Sequence, residues 1–236
     1  MTAINRRVAI VAALVLLATV ELGACGDNEP EQRKAFVGFL QTRILDKRGV
    51  HVPSLTDDEK SSIGAYYDHY MVIGNFNLEM NKVLTGPYKI AQTNAPRNMQ
   101  ELAARRSDVK AMSDAMAHAG DDARKLLADT EAKRAALKQP DDLKPVYDAA
   151  YKRDVTAPVE AFLATIPVAI EGMKKSLELA DYLNAHSATV KINGASVQTA
   201  DKKTNAEINQ LLTAVNMQNQ KLTEARRALQ IATEGP

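Results

Sequence analysis

The most distinctive chemistry in this sequence belongs to Cys25, the single cysteine among 236 residues. A cysteine sulfur is nucleophilic as its thiolate, and it is the atom needed to take up a diacylglyceryl group as a thioether. Its neighbours suit that use. Leu22-Gly23-Ala24 precede it, and the small Gly23 and Ala24 leave the Ala24–Cys25 bond open to a peptidase. Upstream, Arg6 and Arg7 are followed by an apolar run from Val8 to Val20, which Glu21 ends. A charged start, a short apolar core and a small-residue cleavage point are the parts of a secretory signal. The core falls short of the roughly 20 apolar residues that span a bilayer.

Leu22-Gly23-Ala24-Cys25 resembles the lipobox of bacterial lipoproteins. That resemblance implies a signal peptide over 1–24, cleavage after Ala24, lipidation (palmitate-type chains) at Cys25 and a lipidated tether over 25–30. The expected partner is then the lipid bilayer itself, reached through acylated Cys25. Two or three chains hold firmly where one is marginal, since each buried methylene contributes about 0.8 kcal/mol. The expected place is the bacterial cell envelope, facing the periplasm. Gly26 after the cysteine, where Asp would signal retention, favours the outer membrane over the inner one; Asp27 follows one place later.

Other reactive side chains are dispersed. His51, His69, His118 and His186 lie outside helical reach of one another, so no metal spacing is present and no metal site is expected. The runs Asp57-Asp58-Glu59, Asp121-Asp122 and Asp141-Asp142 sit where helix starts favour negative charge. Tyr66-Tyr67-Asp68-His69-Tyr70 concentrates polar aromatics. Tyr66 and Tyr70, one helical turn apart, read first as core residues with hydroxyls at an edge. With Phe162 they are also the candidate lining of a ligand groove. No catalytic residue, cofactor motif or Gly-rich phosphate loop is found.

Several elements have to position these groups. With Arg6, Arg7 and Glu21 removed, basic and acidic residues balance at 28 each. That balance offers no basic surface for nucleic acid. With Cys25 acylated no thiol remains for a disulfide. Ala, Leu, Glu, Gln and Lys abound and Trp is absent, a composition that suits long, closely packed helices.

Spacing predicts a first helix over Glu31–Lys47, stopped by Gly49. A capping box, Thr56-Asp57-Asp58-Glu59, opens a second helix that runs to Leu84 and ends at Gly86-Pro87. A long third helix is expected over Asn98–Gln139, interrupted if at all by Gly120. A fourth follows Asp141-Asp142, with kinks or breaks at Thr156–Pro158 and Ile166–Pro167. Asn193-Gly194 marks a hairpin, expected to pair Ile192 with Ala195 and Val190 with Val197. A last helix to Ala232 carries the seam Ile208, Leu211, Val215, Gln218, Leu222, Ala225 and Leu229. Asn77 and Gln218 are polar positions on apolar seams, and could pair across the bundle.

The chain also resembles a family of bacterial lipoproteins of unknown function, domain-of-unknown-function family 3053. The matching pieces are Glu31–Phe36 with Phe39-Leu40-Gln41, Pro53–Thr56, and above all Leu137–Val146, with Pro158 and Ile166-Pro167 further on. The resemblance implies an all-helical lipoprotein domain and supplies no activity. The fold expected is all-α: an elongated bundle of about five helices with a small β-hairpin before the last, filling one domain over 31–236. The function expected is a non-enzymatic envelope lipoprotein, a scaffold or interaction module for other envelope proteins. The alternative is a periplasmic module that binds a small molecule or peptide near Tyr66, Tyr70 and Phe162.

Overall fold

A computed structural model describes residues 28–236. The signal segment, Ala24 and Cys25 lie outside the described residues. The described residues make five helical passes and a two-stranded hairpin; four of the passes carry a joint, and only the one near Thr156–Pro158 was expected from sequence.

The first pass is α1 (Glu29–Phe39), which widens into a π-helical turn over Leu40–Leu45. Pro30 lies in its first turn, where a missing N–H costs nothing. Gly49 then turns the chain at φ +70°. A side chain there would meet the Thr233 carbonyl 2.5 Å away.

The second pass is divided. The capping box forms as expected: Thr56 Oγ1 accepts from the Glu59 N–H, and the Glu59 carboxylate accepts from the Thr56 N–H. But α2 (Asp57–Ile63) stops at Gly64, and α3 (Tyr66–Asn94) starts as a separate helix. Gly64 has φ +53°, and the Gln32 side chain of α1 occupies the space its Cβ would need. Only glycine permits both. At the other end α3 runs through Gly86-Pro87, contrary to the expected stop. Its end is secured beyond the proline by Arg105, which donates to the Thr93 carbonyl.

The third pass is α4 (Met99–Ala104) and α5 (Arg106–Ala135), parted at Arg105 rather than at Gly120. Asn98 caps α4 by accepting from the Glu101 N–H, and Asn184 donates to the freed Ala103 carbonyl. Gly120 lies inside α5, where a Cβ would stand 3.3 Å from Ile166; it serves close approach to the neighbouring helix.

The fourth pass is α6 (Lys144–Tyr151), a second π-helical turn over Lys152–Thr156, and α7 (Ala157–Ala185). The joint expected at Thr156–Pro158 is this π-turn. Pro167, by contrast, sits within continuous α7. Residues 144–185 include a stretch apolar enough to cross a membrane by length and composition. A third of that stretch is buried: Val155 and Val159 enter the first core, and α7 packs against α5 and α8 with Ile166 and Leu179 buried.

Strands β1 (Val190–Asn193) and β2 (Ser196–Thr199) form the hairpin. The turn residues are Gly194, at φ +61°, and Ala195, so Ile192 faces Val197 and Val190 faces Thr199. The expected register is therefore two residues off. Positive φ is needed only at the first central position, which glycine takes and asparagine need not. A two-residue shift keeps each side chain on its face, so Val190 still points into the core. The last pass, α8 (Lys202–Glu234), is unbroken and is capped by Asp201, which accepts from the Thr204 N–H.

Helix α5 packs between α3 and α7, and α7 between α5 and α8. Two apolar cores result. The first joins α1, α2, α3, α6 and both π-turns around Phe36, Phe39, Tyr66, Tyr70, Phe76, Tyr147 and Tyr151. The second joins α4, α5, α7, β1 and α8 around Leu102, Val109, Leu179, Leu183, Val190 and Ile208.

Candidate functional site

The segment Val50–Leu55 between the first π-turn and α2 is extended and has no helix of its own. Several long-range hydrogen bonds hold it. Arg153 donates to the Leu45 and Gly49 carbonyls at 2.7 and 3.0 Å. The His51 N–H donates to Asp154 Oδ1 at 3.2 Å, and His51 Nδ1 lies 2.6 Å from the Arg43 carbonyl. The Val50 N–H donates to the Thr233 carbonyl at 2.8 Å, and the Tyr70 hydroxyl donates to the Pro53 carbonyl.

The π-turn supplies two of those partners because of its sequence. Pro158 has no N–H to give the carbonyl one turn back, which is that of Asp154. Asn77 Nδ2 donates to it instead, at 3.1 Å, while also meeting the Ile73 carbonyl. The polar position on the α3 seam is thus answered by α6–α7. It is not paired with Gln218, which lies on α8 beside Gly172.

Asp154 is 1% exposed, and its Oδ2 has no partner among the described residues. Burial pushes its carboxyl pKa up to about 6, against the opposing pull of the His51 N–H and the Arg153 charge. The Tyr70 phenol is raised as well, chiefly by burial and then by the Asp154 charge.

Between this segment and the outer face of α3 lies a cleft of about 630 Å³. Val50, Val52, Pro53 and Leu55 form one wall; Tyr67, Tyr70, Met71, Gly74 and Leu78 form the floor. Asn75, Asn77 and Asn81 bring amides to its edge, and Lys60 is the one charged residue among those lining it. The volume falls within the range of small-molecule sites, roughly 300–1,000 Å³. A second hollow of about 390 Å³ between α3 and α5 is rimmed by Glu79, Lys82, Asp122, Lys125 and Asp129.

The three groove residues named from sequence are divided by the structure. Tyr70 lines the cleft. Tyr66 is turned into the first core, its ring stacked on Phe36 at 5.5 Å and its hydroxyl donating to Glu29. Burial, then Glu29, pushes its pKa up to about 12. Phe162 is half-buried against the same core and is not among the lining residues. His69 packs edge-on to Tyr66 at 5.1 Å, and burial lowers its pKa. His186 stacks on Tyr182 at 4.0 Å, and His118 is exposed.

Among the described residues no three His, Cys, Asp or Glu side chains are grouped to hold a metal ion. No side chain that lines the cleft is a carboxylate or imidazole able to act as a base there. The cleft is an open trough whose lining is about as polar as apolar, with amides along its edge. The one clue to the Asp154 joint was Pro158, which withholds an N–H from the Asp154 carbonyl one turn back. The cleft gave no such clue, because one wall is a segment without periodicity.

The family model described as "Protein of unknown function (DUF3053)" matches residues 13–230. The uncharacterized protein YiaF of Escherichia coli K12 is 28% identical over 221 residues, 93% of this chain and 93% of its own. YiaF of Escherichia coli O157:H7 and of Shigella flexneri match with the same identity and coverage. No solved structure matches.

Proposed function

We propose, for a chain that belongs to the family of proteins of unknown function DUF3053, that it is a lipid-anchored envelope protein whose helical body is a non-enzymatic interaction module. The observation that carries this reading is Leu22-Gly23-Ala24-Cys25 placed after Arg6-Arg7 and a short apolar run. Acylation at Cys25 puts the body beside a bilayer on the periplasmic side, and Gly26 directs it to the outer membrane. The short stretch between Cys25 and α1 keeps the first core near the lipid. The outer face of α3 then offers contact area to other envelope proteins, with Leu78 57% and Tyr88 64% exposed. Exposed aromatic and aliphatic side chains of this kind suit partner contact.

Replacing Cys25 with Ser tests the anchor. The variant is expected to leave the membrane fraction for the soluble one. Intact mass of the wild type is expected to show loss of residues 1–24 and the added lipid. An unmodified thiol with the first 24 residues still attached would overturn the reading.

The second reading, a module that binds a small molecule or peptide, is favoured by one observation: the cleft between Val50–Leu55 and α3, with Tyr70 on its floor. Saturable binding of a ligand that Gly74→Phe abolishes would establish it.

A further inference from the structure

Helix α8 is the one pass without a joint, and it packs along α7 at the side of the bundle. Its seam from Ile208 to Leu229 is turned inward, each member buried or half-buried. A second line runs along the same helix one residue earlier at each step: Ala214, Met217, Lys221, Glu224, Ala228 and Ile231. Steps of three and four keep these six on one strip, about 100° round the helix from the inward seam. Five of the six are exposed and Ala214 is half-buried; Met217 is 50% exposed and Ile231 48%. The opposite flank, with Asn216, Asn219, Thr223 and Arg226, is polar.

The strip is held ready at both ends. Asp201 caps the start of α8 by accepting from the Thr204 N–H. At the other end the Thr233 carbonyl accepts from the Val50 N–H at 2.8 Å, and the Gly235 carbonyl accepts from Arg48 at 3.3 Å. Ile231 therefore sits on an anchored turn. A surface fixed beforehand loses less entropy on docking.

The order of residues along the strip suits one kind of partner. A two-fold axis between Lys221 and Glu224 sets a second α8 antiparallel to the first. Residue i of one copy then meets residue j of the other, and j meets i. Lys221 meets Glu224, Met217 meets Ala228, and Ala214 meets Ile231, each pair occurring twice. Every layer thus joins a cation to an anion or a large side chain to a small one. A parallel pairing sets Lys221 on Lys221 and Glu224 on Glu224, and like charges facing each other oppose association.

We propose that this flank of α8 is the interface for a second copy of this chain, an antiparallel helix pair about 26 Å long. It goes beyond the function proposed above: it lies on a different face from the outer side of α3, and it stands whether or not Cys25 is acylated. The contact is narrow, with two large apolar side chains from each copy, so the dimer forms and parts readily.

The test uses two differently tagged copies of the full chain, expressed together and treated with a mild oxidant. One copy carries Met217→Cys and the other Ala228→Cys. The expected result is a disulfide between the two tags, with wild-type copies treated alike to give the background from Cys25. It is absent when both copies carry Met217→Cys, because those positions lie about 16 Å apart along the antiparallel pair. In the same cysteine background, Lys221→Glu in both copies or Glu224→Lys in both copies is expected to abolish the crosslink. Lys221→Glu in one copy with Glu224→Lys in the other restores it, which shows that neither change acts by unfolding the chain. Copies that give no crosslink above background overturn the proposal. So does Met217→Cys joined to itself, or a crosslink that both charge reversals leave intact.

Discussion

The two cores are built differently. The first is aromatic and polar at its edges: Tyr66, Tyr70 and Tyr147 each bury a ring and give the hydroxyl a partner, and the buried Asp154 and half-buried Asn77 sit among them. The second is aliphatic, with Leu179, Ala180 and Leu183 of α7 against Ile208 and Val215 of α8. Aliphatic packing tolerates exchange of similar volumes. A polar network does not, because each lost partner strands a buried group. Both π-turns, the extended wall and the cleft lie with the first core, the one that α1 enters.

The largest expected effect comes from the first core. Tyr147→Ala empties a fully buried site and frees the His69 carbonyl, and should cost about 4 kcal/mol; Leu183→Ala in the second core should cost about 3 kcal/mol. Urea unfolding checks both. Because α5 and α7 pass through both cores, each substitution should shift one common transition. Two separate transitions would show that the cores are independent and break the comparison.

Next is acid. Asp154 has a carboxyl raised from 3.8 to about 6, so the folded state takes up its proton before the unfolded state does. The group therefore weakens the fold above pH 6, and stability returns as pH falls from 6 to 4. The full gain is about 3 kcal/mol, two units at about 1.4 kcal/mol each. His69, lowered by burial, works against this: the fold loses stability as acid charges the unfolded imidazole. Asp154→Asn isolates the effect. It should be about 3 kcal/mol more stable than the wild type at pH 7.5, a margin that shrinks to about 1 kcal/mol at pH 4.5. Parallel stability curves across that range would remove the charge at Asp154 from the contrast.

Asn77→Leu should cost about 2 kcal/mol, since it leaves the Asp154 carbonyl without a donor. The equivalent change on the other seam, Gln218→Leu, should be close to neutral by thermal melting. The smallest effect lies in the hairpin that covers the second core: Gly194→Ala imposes a side chain at φ +61° and should cost about 1 kcal/mol.

Much of the architecture could be read from spacing. The helical passes, the capping box at Thr56–Glu59, the hairpin and the α8 seam all follow from local pattern. The proline-marked joint near Thr156–Pro158 could be read too, but the joints at Gly64 and Arg105 could not, because their causes are distant in sequence. Gly64 ends α2 for the sake of Gln32, and Arg105 parts α4 from α5 where Asn184 takes the loose carbonyl. Tyr66 and Tyr70 follow one another at helical spacing, yet one faces the core and the other floors the cleft. Which face becomes a trough depends on where Val50–Leu55 lies, and that is decided by Arg153 and Asp154, a hundred residues away.

The bond from Asn77 to the Asp154 carbonyl ties two remote positions into one mutational unit. Alanine at 158 would restore a backbone donor for that carbonyl and release Asn77 from its task. An apolar residue could then occupy 77 without harm. Taken in the opposite order, the same two changes pass through a crippled intermediate. A random walk through neighbouring sequences therefore crosses this ridge by one order of steps much more easily than by the other.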